Sequence, residues 1–155
     1  MGSMGLAAYG AVMTAAVAFM PPAAEEIDAL PARYDCLFRP LVGGELVDGR
    51  LIAADSGQFA HLPIAVRFTV EDPSRRAAAM KVGTKQGRTV PARLEVLDRV
   101  VRFSYEFPGL SAGSATISRT PASDGLPAVR SDQGWYDDVL SVGYSSGVCR
   151  TDGAD

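Results

Sequence analysis

Four carboxylates crowd the last quarter of the chain: Asp124, Asp132, Asp137 and Asp138, in the stretch that also holds Trp135 and Tyr136. Oxygen-rich loops of this kind can hold calcium, and paired carboxylates can divide general acid and base roles in hydrolysis. The spacing matches neither chemistry closely, since no EF-hand loop is present and acidic loops are common at protein surfaces. His61 is the sole histidine and lies in Ala60-His61-Leu62-Pro63. Ser111 and Ser145 each stand in a Gly-x-Ser-x-Gly run, but neither run leads into a helix, so neither forms the strand-to-helix elbow that would present a nucleophile to it. Zinc needs more His and Cys ligands than remain once the two cysteines pair. Phosphate-loop and dinucleotide fingerprints are missing. The glycine-spaced stretch Gly109–Ser114 lies between strand patterns with no helix to receive a phosphate, and it reads as a turn. No cofactor and no metal are expected.

Two other sets of side chains are candidates for binding rather than catalysis. The first is aromatic: Tyr34, Phe38, Phe68, Phe103, Tyr105 and Trp135. In a small barrel such rings fill the interior, and a ligand pocket among them is the alternative. The second is basic. Residues 67–102 hold nine Lys and Arg against four acidic side chains, a local net of +5, whereas residues 120–155 hold two against six, a local net of −4. Arg75, Arg76, Lys81, Lys85 and Arg88 fall at or near turns, where side chains are usually exposed. They form the expected patch for an anionic partner, unless the acidic C-terminal part neutralises them within the fold. The chain as a whole carries −3 with a pI near 5.1, which argues against nucleic acid as a partner.

The remaining chemistry is the pair Cys36 and Cys149. They stand near the two ends of the folded part, after an export-like N-terminus, and a disulfide between them is expected. In the chain-entropy account, closing a loop of this length stabilises by at most ~4–5 kcal/mol.

The elements that must position these groups are strands. From Ala32 the apolar period is two. Tyr34–Phe38 starts the set, and Asp48-Gly49 between Leu46-Val47 and Leu51-Ile52 signals a hairpin. Ile64–Glu71, Thr89–Val96 and Arg99–Phe107 alternate cleanly. Ala77–Val82 is short for a helix and is read as a strand. Ser114–Thr120, Leu126–Ser131 and a final run ending at Val148-Cys149 complete about eight. This is an all-β, antiparallel single domain with one wet face. An up-and-down barrel is favoured over a two-sheet sandwich, because a covalent tie between first and last strands suits closure. The layout of a Tyr-x-Cys first strand, a β-meander and a last-strand cysteine resembles that of small periplasmic barrels, the lysozyme-inhibitor families among them. That resemblance concerns layout, and no residue role is carried over from it.

Ahead of the strands, Met4–Met20 is an uncharged apolar run followed by Pro21-Pro22. It fits the apolar part of a signal peptide with a cleavage site near Ala16-Val17-Ala18, although no Lys or Arg precedes it. An uncleaved anchor and a buried N-terminal helix are the alternatives. The expected division is residues 1–24 as signal or apolar segment plus linker, and 25–155 as the β domain. Residue types and spacing together point to an exported, periplasmic or extracellular, monomeric domain. It would bind an envelope protein or a small ligand without catalysis, and meet a membrane only through an uncleaved N-terminal segment. The competing readings are a small hydrolase using the C-terminal carboxylates and a membrane-tethered structural domain.

Overall fold

Alternating apolar and polar side chains make each strand two-faced, and the chain buries the apolar faces by rolling one sheet closed. The structure is a computed structural model and describes residues 30–47, 50–53, 63–83, 87–136 and 139–152. The expected N-terminal segment 1–24 therefore lies outside the described residues, as do His61, Lys85, Asp137, Asp138 and the Asp48-Gly49 turn. The described residues form nine strands in order: β1 (Arg33–Val47), β2 (Arg50–Ala53), β3 (Ile64–Asp72), β4 (Ala77–Val82), β5 (Thr89–Val96), β6 (Val100–Phe107), β7 (Ser111–Ser118), β8 (Leu126–Tyr136) and β9 (Val139–Thr151). All neighbours pair antiparallel, in the order β2-β1-β3-β4-β5-β6-β7-β8-β9, and β9 pairs back onto β1. Eight strands thus close the barrel, while β2 folds as a hairpin onto the far half of β1.

The closing seam runs from Tyr34↔Thr151 to Leu46↔Leu140, with a register shift between Pro40 and Val42. Pro40 has no N–H to give the ladder, and a bulge is one of the few places a sheet tolerates it. Leu41, the extra residue, is 64% exposed. Cys36 and Cys149 face each other directly across this seam, with Cα atoms 3.9 Å apart, and are disulfide-bonded. The bond ties together the strands most distant in sequence, where loop closure is hardest for the chain. Both cysteines are buried, and the bond fits an oxidising environment.

The inward residues form one continuous core. Phe68 and Phe103 stack with ring centroids 4.5 Å apart, and Tyr34 meets Phe103 edge-on at 5.5 Å. Phe38, Met80, Leu94 and Ile117 fill the space around them with no exposed surface. Each such side chain contributes about 1.5–3 kcal/mol by leaving water. The outward positions of β3 to β6 carry Arg67, Lys81, Arg93, Glu95 and Arg102. An apolar interior with a charged outer wall is the reverse of a membrane-spanning barrel.

Three sequence expectations shift. The first strand does not stop at Phe38, because the bulge carries β1 through Pro40 and Gly43-Gly44 to Val47. The turn expected over Gly109–Ser114 is confined to Pro108–Leu110, and β7 begins at Ser111. Trp135 and Tyr136 belong to the end of β8 rather than to a loop.

Candidate binding groove

β8 is where the barrel departs from an ordinary apolar core. Its alternation puts Ala128, Arg130 and Asp132 on the inner face, opposite Ile117, Ala115 and Gly113 of β7. Arg130 is only 8% exposed. Its Nε donates to the Tyr105 hydroxyl at 2.8 Å and lies 2.8 Å from Asp132 Oδ2, and its Nη2 donates to Asp132 Oδ1 at 2.9 Å. The Tyr105 hydroxyl in turn donates to Asp132 Oδ1 at 2.8 Å. Arg130 Nη1 is buried with no hydrogen-bond partner among the described residues. Burial pushes the Tyr105 phenol well above its ordinary pKa, although the Arg130 charge pulls the other way. Burial also opposes the Arg130 charge, but Tyr105 and Asp132 outweigh it and hold the guanidinium firmly protonated. Gly113 makes the arrangement possible. A Cβ there would lie 2.6 Å from the Ser131 carbonyl oxygen, 2.7 Å from Asp132 Oδ1 and 2.8 Å from the Tyr105 hydroxyl.

The outer face of the same wall carries the groove. Its positions fall between the inner ones, so cross-strand pairing lines up Arg93, Ser104, Ser114, Ser131 and Tyr144 in one row from β5 to β9. Paired strands are ~4.8 Å apart, so the row extends ~19 Å across the barrel. Its middle is small: Ser104, Ser114 and Ser131 are half-buried, and Ser114 and Ser131 share a hydrogen bond at 3.2 Å. The rims are tall. At one end stand Arg93 and the β3–β4 turn with Arg75 and Arg76, and at the other stands Tyr144, 54% exposed. Low floor and high rims leave an open cavity of about 820 Å³, bordered on the next row by Glu106, Ala112, Gln133 and Val142.

The arginine rim is built by a tight turn. Asp72 accepts hydrogen bonds from Ser74 Oγ at 2.6 Å and Arg75 N at 3.1 Å, and Arg76 N donates to the Pro73 carbonyl at 3.1 Å. The Ser74 and Arg75 bonds hold the Asp72 carboxyl below its ordinary pKa. Asp72 also sits 3.5 Å from Arg75 Nε. Arg76 has φ of 57°, in the left-handed region where a turn of this kind usually places glycine. Neither Arg76 nor Arg93 has a carboxylate within ion-pair distance among the described residues.

The aromatic candidates separate accordingly. Tyr34, Phe38, Phe68 and Phe103 are buried in the core, and Tyr105 is the one whose hydroxyl joins the inner network behind the groove. Trp135 lies in β8 with its side chain outside the described part. The basic candidates divide as well. Arg75 and Arg76 join the groove. Lys81 lies in a second surface depression beside Arg67, which donates to Asp35 at 2.6 Å. Arg88 lies over the Phe107 ring at 5.7 Å, and Lys85 is outside the described residues. Of the acidic candidates, Asp137 and Asp138 lie outside the described residues, and the other two do not meet. Asp132 is engaged by Arg130 and Tyr105, while Asp124 sits in the exposed β7–β8 turn eight positions away.

Sequence reasoning did not single out Arg93, Ser104, Ser114, Ser131, Tyr144 or Arg130. The available signal for Arg130 was period two itself, which places Arg130 and Asp132 on the same face as Ala128. For the groove it was the run Ser111–Ser118, whose outward residues are all small. Comparison with protein-family models finds no match to the chain, and comparison with curated proteins finds none either.

Proposed function

We propose that this chain is an exported domain that binds a partner through the outer groove without catalysing a reaction. The observation that carries the reading is the groove itself: a preformed cavity on a rigid, disulfide-closed wall, floored by hydroxyls and rimmed by arginines and a tyrosine. Concave, preformed sites with a few convergent polar groups are where proteins bind ligands. The inner network supports the reading, since side chains locked behind a wall keep the strands in register and the outer groups in place. Export is supported by the buried disulfide and by the apolar run ahead of the barrel.

Ser114→Trp fills the groove floor from the outside and leaves the inner face untouched. Immobilised wild-type protein should retain a component of envelope extract that the Ser114→Trp protein, with an unchanged melting temperature, does not. Identical retention by both proteins overturns the groove as the binding surface.

A further inference from the structure

We propose that the groove takes an acidic oligosaccharide, a sugar chain bearing carboxylates, laid across the strands from the arginine rim to Tyr144. The inference rests on the groove being the binding surface. Four features of the site select this chemistry. First, the floor offers hydroxyls in series, Ser104, Ser114 and Ser131, one per strand. A hydroxyl both donates and accepts, which matches a polymer carrying hydroxyls along its length. Second, strands β5 to β9 are each paired on both sides, so their backbone groups are already in the ladder. A peptide usually adds to a sheet by pairing with a free edge, and this wall presents none to it.

Third, Tyr144 gives the far end an exposed aromatic face with a polar tip, beside the exposed Val42 with which it pairs. Such a ring can lie under the apolar face of a sugar while its hydroxyl reaches the rim. Fourth, the near end holds two guanidiniums, Arg76 and Arg93, with no carboxylate within ion-pair distance among the described residues, while Arg75 is held by Asp72. Guanidinium binds carboxylate through paired, charge-assisted hydrogen bonds. Glu106 borders the groove on the next row, one strand from Arg93, and repels a carboxylate that is not itself paired, so the ligand's carboxylates must sit on the arginines. The left-handed Arg76 adds an independent sign. A non-glycine residue held in this region is strained, and such outliers concentrate at ligand clamps.

The test is calorimetric titration of the intact, oxidised protein with an oligogalacturonate of about four sugars, the same chain with its carboxyls reduced to alcohols, and polyglutamate. Binding of the uronate chain is expected to weaken roughly tenfold in each of Arg76→Gly and Arg93→Ser, about what one charge-assisted pair contributes, and roughly a hundredfold on carboxyl reduction, which removes both pairs. Tyr144→Ala should weaken the acidic and reduced chains alike, and Ser114→Trp should abolish binding of both. Added salt should weaken the uronate chain more than the reduced one, because the arginines are exposed. The inference is overturned if the uronate chain does not bind, or binds no better than the reduced chain. Polyglutamate or an envelope protein bound by wild type and lost in Ser114→Trp also overturns it, while leaving the groove reading intact. Uronate binding that Ser114→Trp leaves unchanged overturns both.

Discussion

The two ends of the barrel interior have opposite chemistry. One end is closed by Tyr34, Phe68, Phe103, Leu94, Ile117 and the Cys36–Cys149 bond, all apolar in contact and nearly without exposed surface. The other is organised by Tyr105, Arg130 and Asp132 around the bare backbone of Gly113. Apolar packing is non-directional and tolerates small slips, so the first end supplies stability. Hydrogen bonds are directional, and a one-residue slip of β7 or β8 would turn these partners to the opposite face, so the second end specifies register. The groove lies on the outside of the second end. Stability and the candidate binding surface are thus assigned to different parts of one sheet.

The largest expected effect is on the first end. Replacing Cys36 and Cys149 by Ser together should lower the unfolding free energy by up to ~4–5 kcal/mol, in line with the 113-residue separation. Urea unfolding of wild type with and without reductant checks this. A loss below ~1 kcal/mol would mean that the ladder alone closes the barrel. On the second end, Asp132→Ala leaves the buried Arg130 charge unanswered and should cost ~3 kcal/mol, toward the low side for a broken buried pair because Asp132 is partly exposed. The double replacement Arg130→Met with Asp132→Leu should lose less than Asp132→Ala alone. Hydrogen exchange sharpens the contrast between the ends. The Asp132→Ala change should raise exchange in β6, β7 and β8 first, whereas loss of the disulfide should raise it first in β1 and β9.

What the sequence could say divides along the same line. The apolar end was readable because alternation alone assigns Val66, Phe68, Val101 and Phe103 to one face, and because two cysteines have only one way to pair. Those facts favour a barrel over a sandwich, and register closes it. The polar end was not readable, because a charged residue in a strand is outward by default, and the period that puts Arg130 and Asp132 on one face with Ala128 does not say that this face is the inner one. Glycine spacing reads Gly113 as a turn residue, yet its role is to leave room beneath Tyr105. The groove was further out of reach. Its row depends on register across five strands, and a sequence read strand by strand carries no information on which serine faces which.

A smaller effect distinguishes the ends by pH. Burial raises the Tyr34 phenol from 10.0 to about 12, with Arg119 opposing and Asp152 assisting. The folded state therefore holds the neutral form more tightly than the unfolded chain does. Its contribution is complete below pH 10 and is lost as pH rises toward 12. Unfolding midpoints of wild type should fall through that window, and Tyr34→Phe should fall less steeply. Equal slopes would place the alkaline loss on Tyr105 instead, whose phenol burial also raises.

The smallest expected effect carries the opposite sign. Arg76 holds φ of 57° while its carbonyl accepts a hydrogen bond from Leu94 N at 2.8 Å, so the turn cannot relax without breaking a tie to β5. Glycine adopts this conformation freely, though it also loosens the unfolded chain. The net for Arg76→Gly is a gain of about 0.5–1 kcal/mol, read as a higher urea midpoint with unchanged slope. No ion pair to a described carboxylate is lost with the side chain, so no such loss offsets that gain among the described residues. A residue whose removal stabilises the barrel while weakening groove binding serves the surface rather than the core. If Arg76→Gly instead lowers stability, the turn depends on the side chain, and the division between a stabilising end and a binding face fails at the rim where it is most sharply drawn.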